Sequence, residues 1–148
     1  MTAREALSRA IQTRHKGTSG ATVRGLLDSS VLTVGRNLSN QSGEYMTLSF
    51  DTPDLTEWTI GQGLSTSAGG VEDRIDATFN VWSDSRSQVA TEQIINAVSA
   101  LYDHQILTLS SSWTMQHAKR ELTQIIEEPE DGGWHGVVSY EYRIGRRG

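Results

Sequence analysis

The chain has 148 residues, a formal net charge of −5, 36% hydrophobic residues and no cysteine. That length suffices for one compact domain with a real core, while the modest apolar share implies that part of the chain is loop or surface shared with a partner. The missing cysteines exclude a disulfide scaffold and a thiolate-bound zinc or iron–sulfur site. The acidic balance argues against a dedicated nucleic-acid binder, and no stretch approaches the roughly 20 apolar residues that span a bilayer.

Residues 3–15 place Ala3, Leu7, Ala10 and Ile11 on one stripe, with Arg4, Glu5, Arg9 and Gln12 outward, which predicts a helix. Thr2 is its expected N-cap, and Gly17 and Gly20 stop it. Residues 22–29 add a further helical turn or two with Val23, Leu26 and Leu27, and Val31–Val34 reads as a short strand or edge segment. Asn37 to Gly43 is a polar loop.

Tyr45 to Phe50 alternates, and Met46, Leu48 and Phe50 are the expected core face. Pro53 ends this strand. Thr56 to Ile60 can form a third strand carrying Trp58, after which Gly61 to Gly70 has little to bury and reads as a mobile hairpin tip. Leu64 is the only large apolar side chain in that tip, flanked by Ser65 and Thr66.

The stretch from Arg74 to Tyr102 organises the rest. Ile75, Ala77, Phe79 and Val81 alternate with Asp76, Thr78 and Asn80, as in a strand with one buried face. The period then changes: Ala90, Ile94, Ala97, Val98 and Leu101 recur at helical steps. Ser83, Asp84, Ser85 and Ser87 lie between and offer acceptors for the helix start. Strand and helix must fold together, because neither apolar face can be buried alone.

Gln105 to Leu109 is a short strand or an extended connector. Trp113 to Ile126 reads as a strand, although 115–121 also fits a helix. Glu127 to Gly133 is a turn, and Trp134 to Ile144 alternates Val138, Tyr140, Tyr142 and Ile144 against Ser139, Glu141 and Arg143. Residues 113–144 therefore predict an antiparallel hairpin, followed by a basic, frayed tail over 145–148. The whole of 1–148 reads as one α+β domain: a mostly antiparallel or mixed sheet packed against two main helices.

Four histidines, His15, His104, His117 and His135, have no metal-site spacing and read as solvated surface groups. Asp103-His104 lacks a Gly-x-Ser-x-Gly partner motif for a hydrolase triad. Gly61-Gln-Gly63 lacks the third glycine and the helix of a dinucleotide loop. Glu127, Glu128, Glu130 and Asp131 have the wrong spacing for a calcium loop. No catalytic, metal or cofactor-binding residue is assigned, and no cofactor is expected. Trp58, Trp82, Trp113 and Trp134 are many for this length, and aromatics anchor interfaces as well as cores. The candidate interaction residues are Trp58, Leu64, Ser65, Thr66, Trp134, Arg146 and Arg147.

Three segments carry a family resemblance: Tyr45-Met46-Thr47-Leu48; Thr78-Phe79-Asn80-Val81-Trp82-Ser83, leading into a helix with Ile94, Ile95, Val98 and Leu101; and His135 to Arg143. In order and spacing over residues 3–144 the chain resembles the tail-completion, or tail-terminator, proteins of long-tailed bacteriophages and phage-like particles. The resemblance implies an α+β subunit assembling with itself as a hexameric ring in the virion tail or neck. Such a ring caps the tail tube, stops its polymerisation and docks to the head connector, with DNA only passing through the lumen. It implies no catalytic residues. A head-completion or neck connector protein is the alternative, and a small enzyme with a site in 61–70 is a third class.

Overall fold

A computed structural model of the chain describes residues 2–35, 43–51, 72–110, 112–128 and 133–146. Helix α1 spans Ala3–Lys16 and starts where the sequence places its cap. Thr2 Oγ1 accepts the Glu5 N–H at 3.1 Å, and the Glu5 carboxylate accepts the Thr2 N–H at 2.7 Å, a complete capping box. A 3₁₀ turn, Thr18–Gly20, leads into α2, Ala21–Leu26. A Cβ on Gly20 would lie 2.1 Å from the His15 carbonyl oxygen, so this turn accepts no side chain. The Arg24 guanidinium donates to the carbonyls of His15 and Gly17, satisfying acceptors that a helix end leaves open.

The five strands are β1, Thr33–Val34; β2, Tyr45–Asp51; β3, Glu72–Ser83; β4, Trp113–Glu128; and β5, Gly133–Arg146. Helix α3, Val89–Tyr102, connects toward β4. The sheet order is β1-β2-β3-β5-β4, with β1 parallel to β2 and every other pair antiparallel. This is the expected α+β fold, a mixed sheet with two main helices. The predicted inward register of β3 holds: Ile75, Ala77, Phe79 and Val81 are buried with Val138, Tyr140, Tyr142 and Ile144 of β5. Leu7 and Ile11 of α1 and Ile94 and Val98 of α3 belong to the same core. Tyr102 ties the layers together, stacking on Phe79 at 4.7 Å between centroids and donating its hydroxyl to the Ile11 carbonyl at 3.2 Å.

Several expectations are corrected, and two open alternatives, at 105–109 and 115–121, are decided. The buried stripe of α3 keeps the expected Ile94, Val98 and Leu101 and adds Thr91, Ile95, Ser99 and Tyr102, while Ala97 packs partly buried against the core and Ala90 is half-buried. Of the serines before α3, only Ser87 serves the helix start. Ser83, Ser85 and Ser87 each accept the N–H two residues on, at 3.2 Å; the first two build the turn, and Ser87 takes the open N–H of Val89, the first residue of α3. Phe50 is only partly buried, because β2 emerges at its end, and the Arg4 guanidinium lies 5.5 Å from its ring centre. Residues 105–109 form a connector whose Leu107 and Leu109 are buried without strand pairing. Residues 115–121 are strand, not helix. Gly145 and Arg146 are not frayed: they pair with Thr114 and Trp113, and the Arg146 guanidinium lies 5.2 Å from the Trp113 ring centre.

The histidines also divide. His104 is exposed, but His15 is fully buried, and its Nε2 lies 2.7 Å from the Ser30 carbonyl oxygen, with no partner for Nδ1. Asp103 accepts the Tyr140 hydroxyl at 2.6 Å and faces Arg120, so its role is structural. The expected strand at 56–60 and tip at 61–70 lie outside the described residues; β2 pairs directly with β3, from Tyr45–Trp82 to Asp51–Asp76.

Candidate assembly surfaces

Side chains alternate along a strand, so the residues opposite the core line a second sheet face. Register fixes its rows. One row runs Tyr45, Trp82, His135, Ile126. Trp82 stacks on His135 at 3.7 Å with planes 9° apart, and on Tyr45 at 6.4 Å. Burial holds the His135 pKa below its usual value against the upward pull of Glu128, 3.5 Å away, so the stacked ring is neutral near pH 7. Its Nε2 lies 3.0 Å from the Asn80 side-chain oxygen.

The middle rows carry small polar groups, including Thr78 and Ser139 with hydroxyls 3.3 Å apart. The far end is ionic. Arg74 lies between Asp76 at 3.4 Å, Glu121 at 3.2 Å and Glu141 at 3.7 Å, and Arg143 meets Glu141 at 3.0 Å. Burial opposes the charge on Glu141, but the hydrogen bond with Glu121 and the two guanidiniums win and hold its pKa low. Glu121 is raised, by burial and by the same shared hydrogen bond. The pair therefore binds its first proton at Glu121.

Of the predicted interaction residues, Trp58, Leu64, Ser65, Thr66 and Arg147 lie outside the described residues. Trp134 is half-buried at the start of β5 rather than free, its Nε1 donating to the Arg86 carbonyl at 3.1 Å. Arg146 sits about one strand length away, on Trp113. The structure thus does not bring Trp134 and Arg146 together. It exposes instead a set that periodicity missed: Val31 and Val34 by β1, and Leu122 and Ile126 on β4. A groove of about 580 Å³ opens beside β1, lined among others by Arg4, Val34, Ser49, Phe50, Asn80 and Trp82. A second, of about 450 Å³, lies between α1 and the connector, with Arg9, Thr13, Arg14, Thr108 and Ser110.

No family model and no curated protein matches this chain. The fold does have a counterpart among solved structures. A chain from the virion of a native gene transfer agent (GTA) particle is similar to this one over 97% of this chain and 94% of that one, with a TM-score of 0.65 and 14% sequence identity. The two chains share their fold along nearly their whole lengths.

Proposed function

We propose that this chain is a structural virion protein of the tail-terminator type. Identical subunits, six by the resemblance, form a ring that caps the tail tube, ends its polymerisation and meets the head connector. DNA passes through the lumen without sequence-specific contact, and the protein carries out no catalysis. The observation that carries this reading is the near-complete shared fold with a chain of a gene transfer agent virion. The three segments that suggested the family from sequence support it further, because they fall on adjacent strands. Tyr45–Leu48 pairs with Val81 and its neighbours in β3, and β3 pairs in turn with His135–Arg143.

Trp58, Leu64, Ser65 and Thr66 are the proposed contacts with the tube or the neighbouring subunit. Trp134 and Arg146, near the two ends of β5, and Arg147 are further contact candidates. Native mass measurement of the purified protein, alone and with tail-tube protein, tests the reading. A ring that binds the tube, and overlong or unjoined tails in particles lacking the chain, is the expected result. Binding to portal or adaptor protein with no affinity for the tube would favour the neck connector instead.

A further inference from the structure

We propose that the two edges of the sheet join successive copies of this chain, with β4 of one copy lying antiparallel along β1 of the next around residues 122–126 and 33–34. This rests on the ring reading above and names its subunit contact. Among the described residues the sheet ends in β1 on one side and β4 on the other. A free strand edge offers unpaired N–H and C=O groups, and proteins that need it unpaired blunt it with bulges. Here the irregularities lie at Met115/His117 and Arg120/Leu122. From Leu122 to Glu128 the edge is regular, so half of β4 is left able to pair.

The apolar groups are placed to match. Val31 is 64% and Val34 45% exposed at one edge, and Leu122 is 47% and Ile126 38% exposed at the other. Register puts the two edges at one level. Val34 pairs with Leu48, Leu48 with Phe79, Phe79 with Val138, and Val138 with Thr123. Thr33 leads in the same way, through Thr47, Asn80 and Val137, to Gln124. A closed ring without axial rise requires one patch to meet a different patch at the same height. Strand direction agrees as well. β1 runs with β2, and three antiparallel steps separate β2 from β4, so β4 of a rotated neighbour runs opposite to β1.

Charge selects a second copy as the occupant. Residues 2–35 hold Arg4, Arg9, Arg14, Lys16 and Arg24 against Glu5 and Asp28, in a chain whose net charge is −5. Residues 122–128 hold Glu127 and Glu128 and no cation. Arg4 lies over Phe50, and among the described residues it has no carboxylate partner. The groove beside β1, floored by Trp82 and Asn80, receives Leu122 and Ile126.

The absence of cysteine makes the contact directly testable. Val34→Cys and Thr123→Cys proteins are prepared separately, checked for oligomer by native mass spectrometry, and oxidised alone and as a mixture. Crosslinking in the mixture and not in either variant alone is expected, with the double variant giving a ladder that ends at the ring. Leu122→Glu, which sets a charge against the apolar groove beside β1, should weaken association by about tenfold. Rings that form but give neither the mixed crosslink nor the weakening by Leu122→Glu would overturn this contact and leave the ring standing. Variants that crosslink equally well alone would also overturn it, because the contact would then be two-fold symmetric. A protein that stays monomeric at every concentration, and in assembled particles, would overturn both the contact and the ring.

Discussion

Gly136 gives the sharpest test of how α3 meets the sheet. It lies in β5 between Val81 and Ile125. A Cβ built there would fall 2.4 Å from Ile95 Cδ1, 2.9 Å from Thr91 Cγ2 and 3.0 Å from Ile95 Cγ1. The Ile95 methyl can turn aside, but Thr91 and Ile95 are β-branched residues with restricted χ1 in a helix, so their γ atoms cannot follow. Both are buried, at 0% and 3% exposure, which leaves no solvent-side escape. Forcing an extra methyl into such a site costs about 1–3 kcal/mol. Replacing glycine by alanine in a strand returns about 0.5–1 kcal/mol of backbone entropy. The overpacking wins, and Gly136→Ala should lose about 0.5–2 kcal/mol net. Urea unfolding followed by circular dichroism measures it as a lower midpoint at unchanged slope. Ile95→Val removes the nearest atom, so Gly136→Ala should cost at least about 0.5 kcal/mol less in that background. A Gly136→Ala protein as stable as the parent would refute the close approach of α3 to β5.

Phe79→Ala should cost about 3–5 kcal/mol, whereas Thr78→Ala, on the opposite face, should stay within about 1 kcal/mol; the reverse order in a denaturation series would put the β3 register off by one. Burial holds the His15 pKa below its usual 6.5, outweighing the upward pull of the Ser30 carbonyl. The unfolded chain therefore takes up the proton first, and this stabilisation is complete above pH 6.5 and lost as pH falls below it toward the lower folded value. His15→Gln should flatten the dependence of unfolding free energy on pH over about pH 7 to 5, leaving the share of His135, which has the same sign. Arg146→Ala should cost about 0.5–1 kcal/mol through its contact with Trp113, and a thermal melt identical to the parent would return residue 146 to a frayed tail.

Much of the fold was legible because β2, β3 and β5 each have one face against the helices. Burial on one face imposes a two-residue period, and Ile75 to Val81 and Val138 to Ile144 display it directly. The elements that resisted reading lack that condition. β4 is inward at Trp113 and Met115 but exposed on both faces from Lys119 to Gln124, so its residues follow no period. Arg120 stands on the helix side of the sheet, where its guanidinium donates to Ser99 Oγ at 3.1 Å, and no apolar residue marks the position. His15 was misread for a related reason: nothing local in Thr13-Arg14-His15-Lys16 announces that Ser30 will cover the ring.

The proposed assembly surface was legible only in part, and the reason is physical. Tryptophan counts and a glycine-rich segment point to residue types that interfaces favour, but an edge is a property of sheet order. Val34 and Leu122 are unremarkable in sequence and 88 positions apart. They become a matched pair only once β5 is seen to lie between β3 and β4, because that insertion turns the first strand of the final hairpin into the outermost one. Had β4 paired with β3 instead, β5 would form the edge. Tyr140 and Tyr142 would then lie near solvent, and the Phe79–Tyr102–Tyr140 cluster that holds α3 would be cut open. The most apolar strand of the hairpin is therefore kept inside, and the polar, bulged one is left at the rim. That choice stabilises the subunit and, in the same step, leaves Leu122 to Glu128 as the segment available to another copy.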